Sequence, residues 1–547
     1  MPICTNCQKE FVVLPKEKEF LDKHYLSIPK VCPFCRQVFR YASRNEYYLY
    51  LRRCSQCQKE IVSYISPDKP LVVYCSSCYW LDSWSGTDYG IDYNSSLSVF
   101  DHLKALHLKV PHLSGRIIQS QNSDYTNSSS HNKDCYLSFR VHYCEGVFNS
   151  YWIIESKDCS DCLKATKNEL CYQCVDCHRN YNCQYCFNCY DSLDCSGCVD
   201  CRNCQACHLC SNLRNRRYCY QNKQLNRDEY ERLVQPLYTY SQQQKFVCAW
   251  KEIIDQAIYS ATNQINSVNC SGDNLLNCKD CYSAFDLVGC ENCIYLLDAL
   301  NIKDSVDVYS AGVGVGAENV YNSWGVGNKS SSIIASFDTQ EGMSNAEYCQ
   351  QCYSGHDLFG CVNLRNKSFC IFNKQYREDD YFKLKEKIVN RLKEEGIYGA
   401  FQPPEYSLFG YNESPAMGYL PLTKEEVLAK GWRWHDQEQK EYSESNYQIP
   451  DNIRQVSDEI TKEALACTQC GRNYKIISSE LDFYRKFNLP IPRQCFYCRH
   501  TEKINLRNPL SLHKVDCAQC GREVDTSFPT GTKKKIYCQE CYQKEIY

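Results

Sequence analysis

The stretch Cys171–Cys210 reads CYQCVDCHRNYNCQYCFNCYDSLDCSGCVDCRNCQACHLC, and its spacing decides the fold. It belongs to the series Cys159, Cys171, Cys183, Cys195, Cys207 and Cys219, spaced by twelve residues throughout. Most members are followed by further cysteines three and six positions on. Regular repetition this short marks a solenoid. Twelve residues are too few for a helical hairpin, and the Cys, Tyr, Asn, Asp and Val content favours strands and turns. The stretch reads as a parallel β-helix in which identical side chains stack between coils, each coil being twelve or twenty-four residues long.

Working outward, the middle of the chain is duplicated. Asp134-Cys135-Tyr136, Phe139 and Cys144-Glu145 match Asp280-Cys281-Tyr282, Phe285 and Cys290-Glu291 at an offset of 146. Further on, Cys210, Asn212 to Asn215, Cys219 and Asn222-Lys223-Gln224 match Cys361, Asn363 to Asn366, Cys370 and Asn373-Lys374-Gln375 at an offset of 151. Each arm ends in a charged, helix-like segment, the second closed by Gly396. The second arm has no cysteine from Asn301 to Tyr348, yet still reads as short strands between turns.

A tighter duplication brackets the chain. Cys4, Cys7, Cys32, Cys35, Cys54, Cys57, Cys75 and Cys78 map onto Cys467, Cys470, Cys495, Cys498, Cys517, Cys520, Cys538 and Cys541, 463 positions later, with no insertion or deletion between the cysteines. Two residues between paired thiolates let one tight turn present both sulfurs to one ion. A second such turn completes a tetrahedral four-sulfur shell, the closed geometry of structural zinc, which leaves no coordination position for chemistry. These sixteen cysteines are the expected ligands of four structural zinc sites of the Cys4 type, with iron-sulfur the alternative that the same ligands allow.

The first ribbon of each pair resembles the probable zinc-ribbon family through Phe11, Phe20, Lys23, Pro29 and Arg36, and again through Tyr474, Phe483, Lys486, Pro492 and Arg499. The second ribbon of each pair resembles a short zinc ribbon ending Tyr-Cys-x2-Cys-aromatic, at Tyr74 to Tyr79 and Tyr537 to Tyr542. With WLDSW, the NLRN-to-NKQ stretch and PLTKEEVLAKGWRWHD, nearly the whole chain is similar to a family of uncharacterised cysteine-rich zinc-ribbon proteins from candidate-phylum bacteria. That resemblance implies an architecture and no activity.

Composition narrows the class. The 547 residues include 43 Cys and 44 Tyr but only 3 Met, which would suit a disulfide scaffold in a short secreted chain. This chain is long, its N-terminus lacks the basic and apolar regions of a signal peptide, and no run of 18 apolar residues appears. The expected compartment is therefore the reducing cytoplasm, with no membrane partner. Residues 1–79 carry 12 Lys+Arg against 7 Asp+Glu and residues 467–547 carry 14 against 8, while residues 80–466 carry 36 against 50. Basic ends of this kind could meet nucleic acid or the acidic body of the same chain.

The expected fold is mainly β with short helices: a duplicated parallel β-helix (solenoid-like) middle flanked by tandem zinc ribbons at both termini, where they would serve as capping modules. Its parts are ribbons at 1–79, an aromatic and helical connector at 80–118, solenoid arm 1 with its terminal helix at 119–240, and a helical connector at 241–265. Arm 2 with its helix follows at 266–396, then a short helical segment at 397–436, a linker at 437–461 and ribbons at 462–547. The remaining cysteines, seventeen of them between Cys135 and Cys219, are small buried fillers, further zinc or iron-sulfur ligands, or disulfides. His178 and His208 follow cysteines closely and are candidate ligands. The function that follows is a non-enzymatic zinc-binding scaffold or interaction protein. Its ribbons would contact a protein partner or nucleic acid through Lys30, Arg36, Arg40, Arg44, Arg493, Arg499 and Lys503, and its oligomeric state is open. The alternatives are a carbohydrate-active or redox enzyme on the solenoid, with Asp280, Asp286, Glu291, Asp298, Asp304 and Asp307 as candidate carboxylates, or a metal-storage protein.

Overall fold

Twelve residues make one full coil. In the computed structural model, which describes residues 1–312, 314–436, 442 and 447–547, parallel bridges join Leu163 to Val175, Thr166 to His178, Glu169 to Tyr181 and Tyr172 to Gln184. The bridges fall every third residue, so each coil is a square of four three-residue sides. The corners have one cause: Asp161, Lys164, Lys167, Leu170, Gln173 and Asp176 all lie in the left-handed region, at φ of 52° to 58°. That conformation costs an ordinary L-residue roughly 1–2 kcal/mol, and Asn and Asp are the residues that bear it best. They also repay it by bonding from coil to coil. Asn182 donates to Asp194 at 2.6 Å, Asn203 to Asn215 at 2.6 Å and Asn292 to Asp304 at 2.6 Å.

Square coils explain the cysteines. Each side points one residue inward, and in the first arm these are Cys171, Cys174, Cys177, Asn180, Cys183, Cys186, Cys189, Ser192 and so on, nearly all of them fully buried. The two other amides of each side bond to the coils above and below, as Leu163 N–H to Cys174 O and Asp176 N–H to Leu163 O do. The inward amide instead meets the side chain one coil away: Cys162 N–H donates to Ser150 Oγ at 3.2 Å and Asn180 N–H to Asn168 Oδ1 at 2.7 Å. The same side chains donate to carbonyls nine residues on, Cys174 Sγ to Cys183 O at 3.4 Å and Asn168 Nδ2 to Cys177 O at 3.1 Å. The interior therefore needs a compact side chain that can both donate and accept weakly. Cysteine meets that need while behaving as a small hydrophobe.

The second arm repeats the plan with a different filling. Leu287, Leu296, Ile302, Val308, Val320, Ile333 and Met343 take the inward positions, which accounts for its cysteine-free stretch. Three of its coils are longer: Ile302 pairs with Ala317, Ala317 with Ser330 and Ser331 with Ser344, fifteen, thirteen and thirteen residues apart. The extra residues of the fifteen-residue coil bulge at Gly312, Gly314 and Gly316, all at positive φ, and a Cβ on Gly312 would lie 1.9 Å from Leu300 O. Each arm stops the same way. Its last strand, Arg217–Tyr220 or Ser368–Ile371, folds back on a two-residue antiparallel strand, and the following helix, Arg227–Leu233 or Glu378–Glu394, sets a buried tyrosine there, Tyr230 or Tyr381.

The chain divides into two compact units that cross the sequence order. The first contains residues 1–114, 262–435 and 510–512, joining the N-terminal ribbons to the second arm. The second contains 115–261, 436–509 and 513–547, joining the C-terminal ribbons to the first arm. In neither unit do the ribbons cap a solenoid end as their sequence position suggests. They lie along the flank, where Tyr41 packs edge-on to Tyr309 at 4.5 Å in the first unit and Phe496 against Phe139 at 5.2 Å in the second. The flank is wide and aromatic, whereas an end presents one thin coil, so lateral packing buries more apolar surface.

Around this plan, the connector forms the Val99–His107 helix, burying Phe100, Leu103 and Leu106 against the second arm. The Lys424–Ala429 helix carries the expected Thr423–Glu426 capping box. The Tyr240–Gln256 helix lies on the first arm, and Ile258–Ser260 pairs with Lys535–Tyr537 of the last ribbon. Of the linker expected at 437–461, residues 437–441 and 443–446 lie outside the described residues, while Ile453–Gln455 and Asp458–Lys462 form short 3₁₀ turns.

Candidate metal centres

Each ribbon begins with a turn closed by its first cysteine. Cys4 N–H bonds to Lys9 O and Cys4 O accepts from Gln8 N–H, which puts Gln8 at φ 60° directly after the second cysteine, Cys7. Gln58 repeats this at 61°, and Gly471 and Gly521 take the equivalent place at 73° and 72°. Such a turn aims both thiols one way.

The folded chain then gathers the sixteen expected ligands into four groups: Cys4, Cys7, Cys32 and Cys35; Cys54, Cys57, Cys75 and Cys78; Cys467, Cys470, Cys495 and Cys498; Cys517, Cys520, Cys538 and Cys541. Within each, all four sulfurs lie within 4.8 Å of one another. The measured edges are 3.8 Å for Cys7 to Cys32, 3.9 Å for Cys57 to Cys75, 3.7 Å for Cys470 to Cys495 and 3.8 Å for Cys520 to Cys538. A tetrahedron with metal–sulfur bonds of about 2.3 Å has edges of about 3.8 Å, so each group can hold one metal ion.

Backbone amides prepare the sulfurs for it. Cys4 accepts from Cys32 N–H at 3.3 Å, Cys54 from Cys75 N–H at 3.2 Å and Cys517 from Cys538 N–H at 3.2 Å. Burial works against ionisation of these three thiols, but the amide donors outweigh it and hold each at about 6. Cys35, in the group of Cys4, and Cys498, in the group of Cys467, are pushed up instead, by burial first and by neighbouring thiols next. Four thiolates this close would repel one another, so full ionisation of a group would be favoured by a cation among them.

The cysteine groups lead directly to the solenoid. Cys32 is the N-cap of the Pro33–Ala42 helix, which has Pro33 at its first position, and Cys495 caps the Phe496–Asn505 helix. Residues four and eight beyond each cap share its face. In the first unit these are Arg36 and Arg40, which bond to Asp307 at 2.6 and 2.9 Å, with Glu17 2.7 Å from Arg36 and Asn322 2.7 Å from Arg40. In the second unit they are Arg499 and Lys503, and both bond to Asp161, Lys503 at 2.9 Å. Arg36, Arg40, Arg499 and Lys503 are at most 4% exposed. The two clusters correspond through the two duplications: Arg36 to Arg499 by 463 residues and Asp161 to Asp307 by 146.

These contacts correct the expected role of the basic ribbon residues. Arg36, Arg40, Arg44, Arg499 and Lys503 are all buried in their own unit, Arg44 against Glu46 at 2.9 Å and over the Trp324 ring at 4.4 Å. Lys30 bonds to Glu395 O at 2.6 Å, and Arg493 to Ile449 O at 3.1 Å. The cations answer the acidic solenoid, one of the two destinations that the charge distribution leaves open. The docking carboxylates Asp161 and Asp307 are the residues that sequence reasoning misses as a pair; the shared 146-residue offset is the signal that could find them.

Other candidate residues serve elsewhere. His178 and His208 stack on Tyr190 and Tyr220 along the solenoid surface, and neither joins a metal group among the described residues. Asp280, Asp286 and Asp304 are corner residues bonded by Asn269, Asn274 and Asn292, and Glu291 lies between Lys279 and Lys303. The interior thiols form no group of three within 4.8 Å among the described residues.

One asymmetry between the clusters gives a pH test. Glu480, the counterpart of Glu17, accepts from Asn149 at 2.7 Å and Tyr484 at 2.8 Å. Burial pushes its carboxyl up to about 7, Arg499 countering in part. A carboxyl that holds its proton more tightly when folded contributes stability that is complete below its unfolded value near 4.5 and is lost as pH rises through about 7. Glu480→Gln should remove this dependence. Between pH 5 and 8.5 the wild type should lose on the order of 2–3 kcal/mol relative to the variant, read from paired urea unfolding curves. Parallel curves for the two proteins would show that Glu480 does not titrate in this range.

No family model matches the chain, and no curated protein matches it.

Proposed function

We propose that this chain is a non-enzymatic scaffold whose four Cys4 groups hold structural zinc. The metal in each first ribbon would fasten that ribbon pair to the flank of a solenoid arm, and the assembled surface would serve a partner in the cytoplasm. One observation carries the reading: in both units a helix starts on a metal ligand and, one and two turns later, delivers two cations into a buried carboxylate of the solenoid. That coupling gives the metals a mechanical purpose, since losing the cap releases the docking face. Zinc is favoured over iron-sulfur because paired knuckles with polar, basic loops suit closed structural sites, as in the ribbon families that these segments resemble. A protein partner is better supported than nucleic acid along the ribbons, because five of the seven basic residues considered for phosphate contact are already buried.

Metal analysis of anaerobically purified protein tests the reading. Close to four zinc ions per chain are expected, one for each group. A count far above that number would favour storage on the interior thiols, and a visible iron-sulfur chromophore would favour a redox role. A chain that folds without bound metal would overturn the proposal.

A further inference from the structure

In the second unit a cleft of about 350 Å³ opens between the Tyr240–Gln256 helix, the ribbon segment around Arg493 and the first-arm side carrying Tyr172 and Tyr185. The size is at the small end of the range for ligand sites, roughly 300–1,000 Å³. Its lining changes with depth. Tyr172, Tyr185, Gln243 and Trp250 are at most 4% exposed, whereas Lys251 is exposed and Arg493 half-buried. The Arg493 guanidinium lies 4.6 Å over the Tyr240 ring, a flat polar wall beside an aromatic floor.

The polar atoms of this lining that lack partners are all nitrogen donors. Gln243 Nε2, Trp250 Nε1, Arg493 Nε and Arg499 Nε are buried and meet no acceptor among the described residues. A buried donor left unpaired costs roughly 1–3 kcal/mol, so a ligand rich in acceptors is favoured here. Charge points the same way. Lys251, Arg493, Arg499 and Lys503 line the cleft against Glu502, with Asp161 behind Arg499 and Lys503, which leaves an excess of positive charge.

We propose that this cleft binds a nucleoside monophosphate unit, either as a free nucleotide or as the terminal nucleotide of a single strand. The base would lie toward Tyr185 and Trp250, where its ring nitrogens and carbonyls answer the unpaired donors, and the phosphate would lie at the rim beside Arg493 and Lys251. Stacking with aromatic and guanidinium planes accepts any base, while the donors require acceptors and the rim requires an anion. Inorganic phosphate uses only the rim. The site goes beyond the scaffold reading and is tested on the metal-loaded full chain, with the metal count checked in each variant so that a collapsed ribbon is not mistaken for a lost ligand.

The test is calorimetric titration with AMP, UMP, inorganic phosphate and a short 5′-phosphorylated single-stranded RNA. Nucleotide should bind at least about tenfold more tightly than phosphate. Arg493→Ala should weaken it by about tenfold, and Trp250→Phe, which keeps one aromatic ring while removing the N–H together with the rest of the five-membered ring, by about fivefold. A strand binding about tenfold tighter than AMP identifies a strand end as the ligand, and equal affinities identify the free nucleotide. The proposal is overturned if nucleotide and strand both fail to bind at concentrations up to about 5 mM. It also fails if phosphate alone binds equally well, or if both variants bind as the wild type does.

Discussion

Asp307→Ala is expected to destabilise the first unit by about 3–5 kcal/mol, the range for breaking one side of a buried ion pair. The carboxylate is fully buried, accepts from Arg40 and forms ion pairs with both Arg36 and Arg40. Its loss leaves Arg40 with Asn322 as its remaining partner and Arg36 with Glu17, so one positive charge in the interface goes uncompensated. Asp161→Ala should act alike in the second unit, where Arg499 and Lys503 converge on that residue. Glu291→Ala is the control: its ion pairs with Lys279 and Lys303 are exposed, and such pairs are worth about 0–1 kcal/mol. Urea unfolding of the three variants provides the comparison. If Asp307→Ala moved the transition no further than Glu291→Ala, the buried ion pairs would not be what fastens ribbon to solenoid.

The second large effect concerns two cysteines whose local spacing is identical. Cys35→Ser should remove one metal, leaving three per chain, and should unfold the first ribbon locally. Metal binding contributes about 10–16 kcal/mol in isolated zinc peptides, more than the net stability of most domains. Because Cys32 caps the Pro33–Ala42 helix and accepts from Cys35 N–H, that helix should lose amide-exchange protection together with its Arg36 and Arg40 contacts. Cys186→Ser, in the solenoid interior, should leave all metals bound and shift stability by only about 1 kcal/mol, since serine already occupies equivalent inward positions such as Ser150 and Ser192. Loss of metal from Cys186→Ser, or its retention in Cys35→Ser, would contradict the division of the thiols into ligands and fillers.

That division is partly legible in the amino-acid sequence. The four-cysteine groups follow from paired spacing that repeats 463 residues later, and the fold gathers the same sixteen cysteines into four clusters. The period of twelve is equally plain, but the same Cys-x2-Cys step means opposite things in the two settings. Between Cys4 and Cys7 the chain folds back and both sulfurs face one point; between Cys183 and Cys186 the left-handed corner at Tyr185 turns the chain to the next side, and each thiol enters from its own wall. Only the unbroken run of such steps separates them. What the sequence hides is partnership. Residues 1–114 belong with 262–435, and local periodicity says nothing about a contact such as Arg40 with Asp307, 267 positions apart. Partnership also decides where the surplus aromatics go. Tyr41, Tyr309 and Trp324 are buried at the ribbon–solenoid flank.

The square coil also sets how these arms can change length during evolution. In-frame duplication of a segment encoding twelve residues adds one coil and about 4.8 Å of stack. Every older side chain stays on its original wall, and the new inward residues meet partners of the same kind. An insertion of any other size shifts the register of every wall beyond it unless a bulge absorbs the surplus locally, as at Gly312, Gly314 and Gly316 in the fifteen-residue coil. Length differences among relatives of this chain should therefore come in steps of twelve, with glycine clustered wherever the step is broken.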